Sequence, residues 1–527
     1  MQATRVGESL GDVLARAAEL YGGRTAAVDG GRRLTYAELE RRVAGLGGGL
    51  RELGIANGDV VAVLSLNSLP HLECALGIPR SGAVINDLNT RLAPTELALI
   101  LEDCEASVLV VDDAFLEAGN RLATACASLE HMVYAGAGEA PDGTVPYEDL
   151  VAGDPAPPFG GGDTLAGIYY TGGTTGLPKG VMLTHANLAA NAKHMLIETG
   201  YDAEDRYLHA GPMFHLADGA STYAVTWVGG MHVIVPAFEP EAVAQIIETE
   251  AVTVTLLVPT MINILINHPA ARARDMSSLR RVLYGGSPMP ADLQRAAAEV
   301  IDCEWVQAYG MTEAAPLVSM CNADVRRGLA GEEPHATRLR SAGTPVVGVR
   351  AEVRREDGSR AGHRESGEIW VRGPNVMAGY WRRPEETDAA LTDDGWYRTG
   401  DAAYVDEDGY LYIVDRVKDM IISGGENVYP AEVENALHDH PAVLEAAVFG
   451  VPHDRWVEQV HAVVVTQPDA KASVEELTEH CRGRIAGYKV PRSIELRDES
   501  LPKSGAGKIL KRELREPYWE GRETGVS

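Results

Sequence analysis

Short continuous apolar runs alternate with amphipathic stretches through roughly the first 410 residues of the 527-residue chain. "DVVAVLSL" (59–66), "ASVLVVDD" (106–113), "VTVTLLVP" (252–259) and "LRRVLYGG" (279–286) have the length and continuity of strands buried on both faces. "PTELALILEDC" (94–104) and "PEAVAQIIETE" (240–250) read as helices between or beside them. Leu10, Val13, Leu14 and Ala17 mark one face of a further helix near the N-terminus. This alternation predicts an α/β architecture with helices on both faces of its sheets. After about residue 345 the texture changes: "VRAEVRREDG", "GEIWVRG" and "GYLYIVDR" are short strands separated by Gly or Asp-Gly turns, which predicts β-hairpins. Beyond residue 419 a smaller unit is expected, with helices at 430–438 and 474–485, strands at 443–451 and 460–466, and a basic tail.

The expected fold class is therefore α/β with additional β. A large N-terminal domain (1–414) holds layered α/β subdomains and a β-hairpin-rich subdomain; "DRVKD" (415–419) is the joint; a small mobile α+β domain covers 420–527. A chain this long implies more than one unit. Its 45% hydrophobic and 23% charged residues are those of globular proteins with sizeable cores. No apolar run approaches the ~18–20 residues of a membrane span, and the N-terminus lacks the apolar stretch of a signal peptide, so a cytoplasmic location is expected. The six cysteines are scattered without a CxxC pair, which fits isolated buried thiols and not a zinc site or disulfide framework.

The net charge of −29 opposes non-specific binding to nucleic acid or anionic membranes. One region runs against it. Between His480 and Arg515 there are ten Lys/Arg against four acids, a local excess of +6 that suits either a solvated basic face or an anionic ligand.

The segment with the most chemistry is "YYTGGTTGLPKGVMLTH" (169–185). It departs from the G-x-x-x-x-G-K-[ST] phosphate loop, because Gly180 follows Lys179 where a hydroxyl would bind Mg²⁺. "AGIYY" before it and "GVMLT" after it both read as strand, so it joins two strands and does not open a helix. It can still cradle phosphates. Gly172, Gly173 and Gly176 let backbone N–H groups converge; Thr171, Thr174 and Thr175 add hydroxyls, and Lys179 adds a mobile charge. Taken alone, a plain Gly-rich hairpin remains the alternative.

The stretch resembles the signature loop of the adenylate-forming superfamily, which includes acyl- and aryl-CoA synthetases, peptide-synthetase adenylation domains and firefly-type luciferases. Its other signatures follow in order: "PMFH" (212–215), "YGGSPMP" (284–290), "QAYGMTE" (307–313), "WYRTGD" (396–401), "DRVKDMIISGGENVYPAEVE" (415–434) and "LPKSGAGKILKREL" (501–514). The resemblance implies a fatty-acyl-CoA-synthetase-like carboxylate–CoA ligase that uses ATP, Mg²⁺ and coenzyme A. It assigns Gly285, Gly286, Ser287, Tyr309 and Gly310 to adenine, Thr312 to the α-phosphate, and Glu313 to Mg²⁺. Asp401 falls to ribose and Arg416 to ribose or phosphate. Tyr309 as a core aromatic and Asp401 as a turn residue are the plainer alternatives. Lys508 is implied as the catalytic lysine, since an ammonium between an attacking carboxylate and an α-phosphate offsets their repulsion; a surface lysine is the alternative. Lys418 corresponds to the hinge about which the small domain rotates between half-reactions, Gly424 and Gly425 to the pantetheine tunnel, and His215 to the gate between acyl pocket and thiol channel, unless it is a satisfied buried histidine.

Two departures from the family pattern stand out. Gly172 replaces the usual serine and removes one hydroxyl from the phosphates. Ala217, two residues after His215, is small where relatives are often larger, which leaves room for a long or bulky acid. Ala217, Asp218 and Met311 are the candidate pocket residues, with Asp218 either capping a helix or bonding a polar substrate group. Fatty, cyclic and aryl acids all remain candidates. The sequence carries no carrier-protein or condensation segment, which disfavours a peptide-synthetase module. An enzyme passing its acyl group to a carrier-protein thiol, an amine or an oxygen is the second hypothesis. A non-catalytic nucleotide-binding protein is a third, opposed by Glu313, Asp401, Arg416 and Lys508. A homodimer is the assembly allowed for.

Overall fold

The computed structural model describes residues 9–159, 161–171, 178–286, 289, 291–416, 421–423, 426–428, 430–453, 457–467, 470–503 and 509–519. By contact, the chain forms two compact units. One comprises Met1–Ala351 with Val371–Tyr397, the other Glu352–Trp370 with Arg398–Ser527.

The first unit is built on two large sheets. In one, six parallel strands (Thr25–Asp29, Met231–Ile234, Arg206–His209, Val254–Leu257, Arg281–Gly285, Glu304–Gly310) are flanked by antiparallel Arg32–Thr35 at one edge and by Leu317–Cys321 at the other, with Thr344–Pro345 outside it. In the other, parallel strands including Val60–Leu64, Val84–Asp87, Ala106–Val111 and Leu165–Thr171 end in antiparallel Lys179–Thr184 and Gly379–Tyr380. The continuous apolar runs are central strands, and Val60–Leu64 is buried throughout, because intervening helices cover both faces. The helices at Pro94–Cys104 and Pro240–Glu250 match the sequence expectation residue for residue. Each begins with proline at its first position, where no N–H is needed.

One helix was not legible, whereas the cysteines are as their spacing implied. The helix Tyr36–Glu52 contains "GLGGGL", a composition that weakens a helix by about 1 kcal/mol per glycine. A Cβ on Gly48 would lie 1.8 Å from the Asp154 carbonyl oxygen, so only a bare backbone lets the two segments meet. The six cysteines are free, five of them buried; burial pushes the Cys104 thiol up to about 11.

The second unit holds most of a four-stranded sheet formed by Arg350–Arg354, Gly367–Arg372, Tyr397–Val405 and Leu411–Arg416. It also holds a five-stranded sheet in which Val443–His453 and Val457–Thr466 form a long antiparallel pair, with Ser493–Arg497 parallel to the latter. Helices Pro430–His438 and Val474–Arg482 cover it; the second stops three residues before the expected end, at Gly483. The mixture of α/β layers, added β-sheet and a smaller α+β region agrees with the expected fold class. No described helix is long and apolar enough to cross a membrane.

Candidate functional site

The Gly-rich segment does join two strands. Leu165–Thr171 and Lys179–Thr184 are antiparallel neighbours, with Thr171 opposite Lys179. Gly172, Gly173, Thr174, Thr175 and Gly176 lie outside the described residues, so the anchors of the loop are placed and its interior is not.

The exit strand is tied to the Glu313 turn by a segment that sequence reasoning missed, residues 374–381. Gly379 and Tyr380 pair with Met182 and Val181, and the backbone N–H of Trp381 donates to the Gly180 carbonyl at 2.7 Å. At its other end, Asn375 is wholly buried and donates to the carbonyls of Ala314 (2.7 Å) and Leu317 (2.8 Å). Met377 N–H donates to the Glu313 carbonyl at 2.9 Å, and Asn187 donates to the carbonyls of Pro374 and Val376. The side chains converge in the same place. Tyr380 Oη donates to Glu313 Oε1 at 3.1 Å, and Lys179 Nζ stands 5.2 Å from the centre of the Tyr380 ring, within cation–π range. Burial, then the Glu313 charge, pushes the Tyr380 phenol well above its ordinary value, so it stays a donor. Tyr397 packs into the same cluster, its phenol raised by burial and by Glu313.

Glu313 itself lies in a single helical turn, Thr312–Ala314, between the antiparallel strands Glu304–Gly310 and Leu317–Cys321. Met311 N–H donates back to the Pro316 carbonyl at 2.8 Å, and a Cβ on Gly310 would stand 2.0 Å from that oxygen, so the turn closes only on glycine. Tyr309 sits on the strand just before it, opposite Ser319, and is part-exposed. One strand over, Gly285 pairs with Ala308; a Cβ there would be 2.3 Å from the Ala308 carbonyl, and Gly286 follows at φ +79°. The residues assigned to adenine by resemblance, Gly285, Gly286, Tyr309 and Gly310, thus occupy the ends of two adjacent strands, with Thr312 and Glu313 in the turn that follows; Ser287 lies outside the described residues. If the resemblance holds, Tyr380→Phe is expected to raise the KM for ATP by about 3- to 10-fold, since it removes one hydrogen bond to a charged group worth roughly 1.5 kcal/mol or less once partly solvated; steady-state kinetics checks it.

The "PMFH" segment contradicts one expectation. His215, not Asp218, caps the short helix Leu216–Gly219: its Nδ1 accepts from Ala217 N–H at 3.1 Å, and the ring is exposed, not buried. Asp218 falls inside the helix and turns its carboxylate into the core, where it meets His209 Nδ1 at 2.7 Å and the Tyr207 hydroxyl at 3.2 Å. A local pattern of Asp near a helix start suggested a cap; the buried partners on a neighbouring strand decided otherwise. Ala217 stays part-exposed, and Met311 precedes the Glu313 turn.

In the second unit, Asp401 is the Cα partner of Arg416 across antiparallel strands, so the two positions assigned to ribose share one rung of the ladder. Gly400, at φ +71°, makes the turn before Asp401, and its N–H donates to Glu368 Oε1 at 2.9 Å. Glu368 had no signal in the sequence. The basic tail carries less free charge than its composition suggests. Lys489, Lys503, Lys511 and Arg515 are paired with Glu432, Glu445, Glu434 and Glu458 of the same unit, at 2.7, 2.5, 2.8 and 3.1 Å. Lys418, Gly424, Gly425 and Lys508 lie outside the described residues, as does the side chain of Arg416.

The model of the AMP-binding enzyme family matches residues 14–381, and that of the AMP-binding enzyme C-terminal domain matches 432–508. Feruloyl-CoA synthases of Amycolatopsis sp and Streptomyces sp are each 43% identical over 517 residues, covering 97% of this chain and 99% of theirs. A long-chain-fatty-acid–CoA ligase of Thermus thermophilus is 38% identical, covering 97% and 95%. Among solved structures, the amide bond synthetase McbA of Marinactinospora thermotolerans aligns with a TM-score of 0.86 at 31% identity, over 97% of this chain and all of that one. The chain belongs to the AMP-binding enzyme family, within the adenylate-forming superfamily. It is an ATP-dependent carboxylate–CoA ligase that activates its acid as acyl-AMP and then passes the acyl group to CoA.

Proposed function

We propose that the acid is aromatic, of the hydroxycinnamate class to which ferulate belongs, and that Mg²⁺ accompanies ATP at Glu313. The observation that carries the nucleotide half of this reading is the convergence of Lys179 and Glu313 on Tyr380. It brings a cation from the end of the Gly-rich loop and a hard carboxylate oxygen to one spot. No group of three or more His, Cys, Asp or Glu suited to a metal occurs among the described residues. A single carboxylate fits Mg²⁺, which takes one or two carboxylates and completes its shell with water and substrate phosphates. When bound, the ion neutralises phosphate charge. The acid half is supported by the 43% identity to feruloyl-CoA synthases over both full lengths and by the small side chain of Ala217.

In the first half-reaction a carboxylate oxygen attacks the α-phosphorus, the bond from that phosphorus to the bridging oxygen breaks, and pyrophosphate leaves. Lys179 and the loop hydroxyls hold the β- and γ-phosphates, Thr312 the α-phosphate, Tyr309 the adenine, and Asp401 with Arg416 the ribose. Lys508 offsets the repulsion between the two anions. In the second, the CoA sulfur attacks the acyl carbon, the acyl–phosphate C–O bond breaks, AMP leaves, and the thiol proton passes to solvent. Rotation at Lys418 separates the two steps, with His215 between acid and thiol and Gly424 and Gly425 along the pantetheine. A cytoplasmic location and a homodimer complete the reading, the latter open to light scattering.

Pyrophosphate release across a panel of hydroxycinnamic, benzoic, medium-chain and long-chain acids, with and without CoA, tests it. Ferulate or a close analogue should lead the panel, with CoA-dependent loss of acyl-AMP. A panel led by long-chain acids refutes the aromatic assignment, and acyl transfer to amines in place of CoA would align the chain with the amide bond synthetase. Gly172→Ser, which restores a hydroxyl to the loop, should lower the KM for ATP by about 2- to 10-fold, the value of one neutral hydrogen bond of roughly 0.5–1.5 kcal/mol. An unchanged KM would mean the hydroxyl has no phosphate to reach.

A further inference from the structure

The segment from His209 to Gly219 leaves the end of one parallel strand, carries "PMFH", and closes on itself through contacts that have no counterpart in its local sequence. Its two ends are joined by the His209–Asp218 hydrogen bond of 2.7 Å, with both side chains wholly buried. Its middle is gripped by Asn67, also buried, whose Nδ2 donates to the Gly211 carbonyl at 2.7 Å and whose Oδ1 accepts from Met213 N–H at 2.8 Å. Its turn is drawn tight at Gly219, where a Cβ would stand 2.2 Å from the Met213 carbonyl. Asp218 is held from outside the segment as well. Tyr207 donates to Oδ1 at 3.2 Å, His209 Nε2 meets His232 Nδ1 at 3.0 Å, and His232 Nε2 meets Thr226 Oγ1 at 3.0 Å. Every group in this chain finds a partner when all the donors run one way: Thr226 hydroxyl to His232, His232 to His209, His209 to Asp218. The rings of His209 and His232 lie within 14° of parallel with centres 5.3 Å apart, and both ring nitrogens of each have a partner. Burying a carboxylate and two imidazoles costs far more than an apolar filling of equal volume unless each bond is made. The arrangement is therefore a costly way to hold a backbone, and what it holds is the short stretch that presents His215 and Ala217 on the surface.

We propose that Asp218 and His209 are positioning residues that fix the place of His215 and Ala217 against the acyl group, so that a buried Asp–His link sets how well this ligase takes its acid. The inference rests on the placing of His215 and Ala217 beside the acid. A carboxylate offered 1 Å from its best position loses up to about 100-fold in rate, whereas ATP, bound by other strands, is unaffected.

The test uses the full chain with ferulate, or whichever acid releases most pyrophosphate, and follows kcat, KM for acid, KM for ATP and melting temperature. Asp218→Ala should lower kcat/KM for acid by about 10- to 100-fold while KM for ATP stays within 2-fold. Asp218→Asn, whose amide oxygen still accepts from His209, should fall between it and wild type; of equal volume, it decides the matter alone if the alanine variant does not fold. Tyr36→Phe removes another buried hydrogen bond, to the Gly230 carbonyl at 2.6 Å, and should lower the melting temperature without moving either KM. Asp218 variants with wild-type kcat/KM for acid, or with the KM values for acid and for ATP raised alike, overturn the proposal. Ala217→Phe separates it from the reading beneath it. If that variant leaves the order of the acid panel unchanged, the segment does not border the acid at all; if it reorders the panel while Asp218→Asn does nothing, only the positioning role fails.

Discussion

Lys508→Ala is expected to cut acyl-adenylate formation by about 10²–10³-fold while a presupplied acyl-adenylate still passes to CoA. The physical ground is the chemistry of the first step, in which an anionic carboxylate approaches an anionic phosphate. A preorganised ammonium offsets that repulsion in the transition state, and losing one such donor costs about 3–4 kcal/mol of barrier. The second step joins a thiolate to an activated acyl group and has no comparable need. The pairing of other basic residues in the tail supplies a contrasting variant. Lys489, Lys503, Lys511 and Arg515 each spend their charge on a glutamate of the same unit, so they serve the packing of that unit. Lys503→Ala should accordingly differ in kind, lowering stability and leaving chemistry alone. Pyrophosphate exchange and single-turnover thioester formation, measured side by side, distinguish the outcomes; equal losses in both half-reactions would contradict the assignment.

Glu313→Gln is expected to raise the requirement for Mg²⁺, and with it the KM for MgATP, by about 10- to 100-fold with little change in melting temperature. The substitution keeps the shape of the side chain and an oxygen to accept from Tyr380, but it removes the charge that a hard divalent cation prefers. Even outer-shell partners of a bound metal are worth about 10- to 100-fold in affinity. Stability should hold because the turn is built from backbone and from Asn375: Met377 N–H on the Glu313 carbonyl, Met311 N–H on the Pro316 carbonyl, and Asn375 on Ala314 and Leu317. Titration of activity with Mg²⁺ at fixed ATP, beside thermal melting, reads both quantities. Unchanged Mg²⁺ dependence would remove Glu313 from the metal.

Much of the fold is legible because its determinants are local. A proline at the first helical position and a left-handed residue after the last place the helices at 94–104 and 240–250. Continuous apolar runs mark central strands because such strands have no solvent face. The Gly-rich loop was readable as a strand-to-strand turn from the two apolar runs around it. Residues 374–381 were not readable. "PNVMAGYW" contains no acid, no histidine and no glycine-rich pattern; its meaning lies in bonds to Met182, Glu313, Ala314 and Leu317, which chain order cannot bring together.

By itself the sequence determined the family, the order of the chemical segments and the reaction class, since each rests on residue type at short spacing. Tertiary structure alone decided which of those residues share a place. It set Lys179 and Glu313 on one tyrosine, tied Gly400 to Glu368, spent the basic tail on acids, and turned Asp218 from a helix cap into a buried partner of His209. The reason is energetic. A polar side chain takes the local partner that sequence suggests only when burial offers nothing better, and inside a packed sheet an unpaired carboxylate is too costly for any arrangement but the one that pairs it.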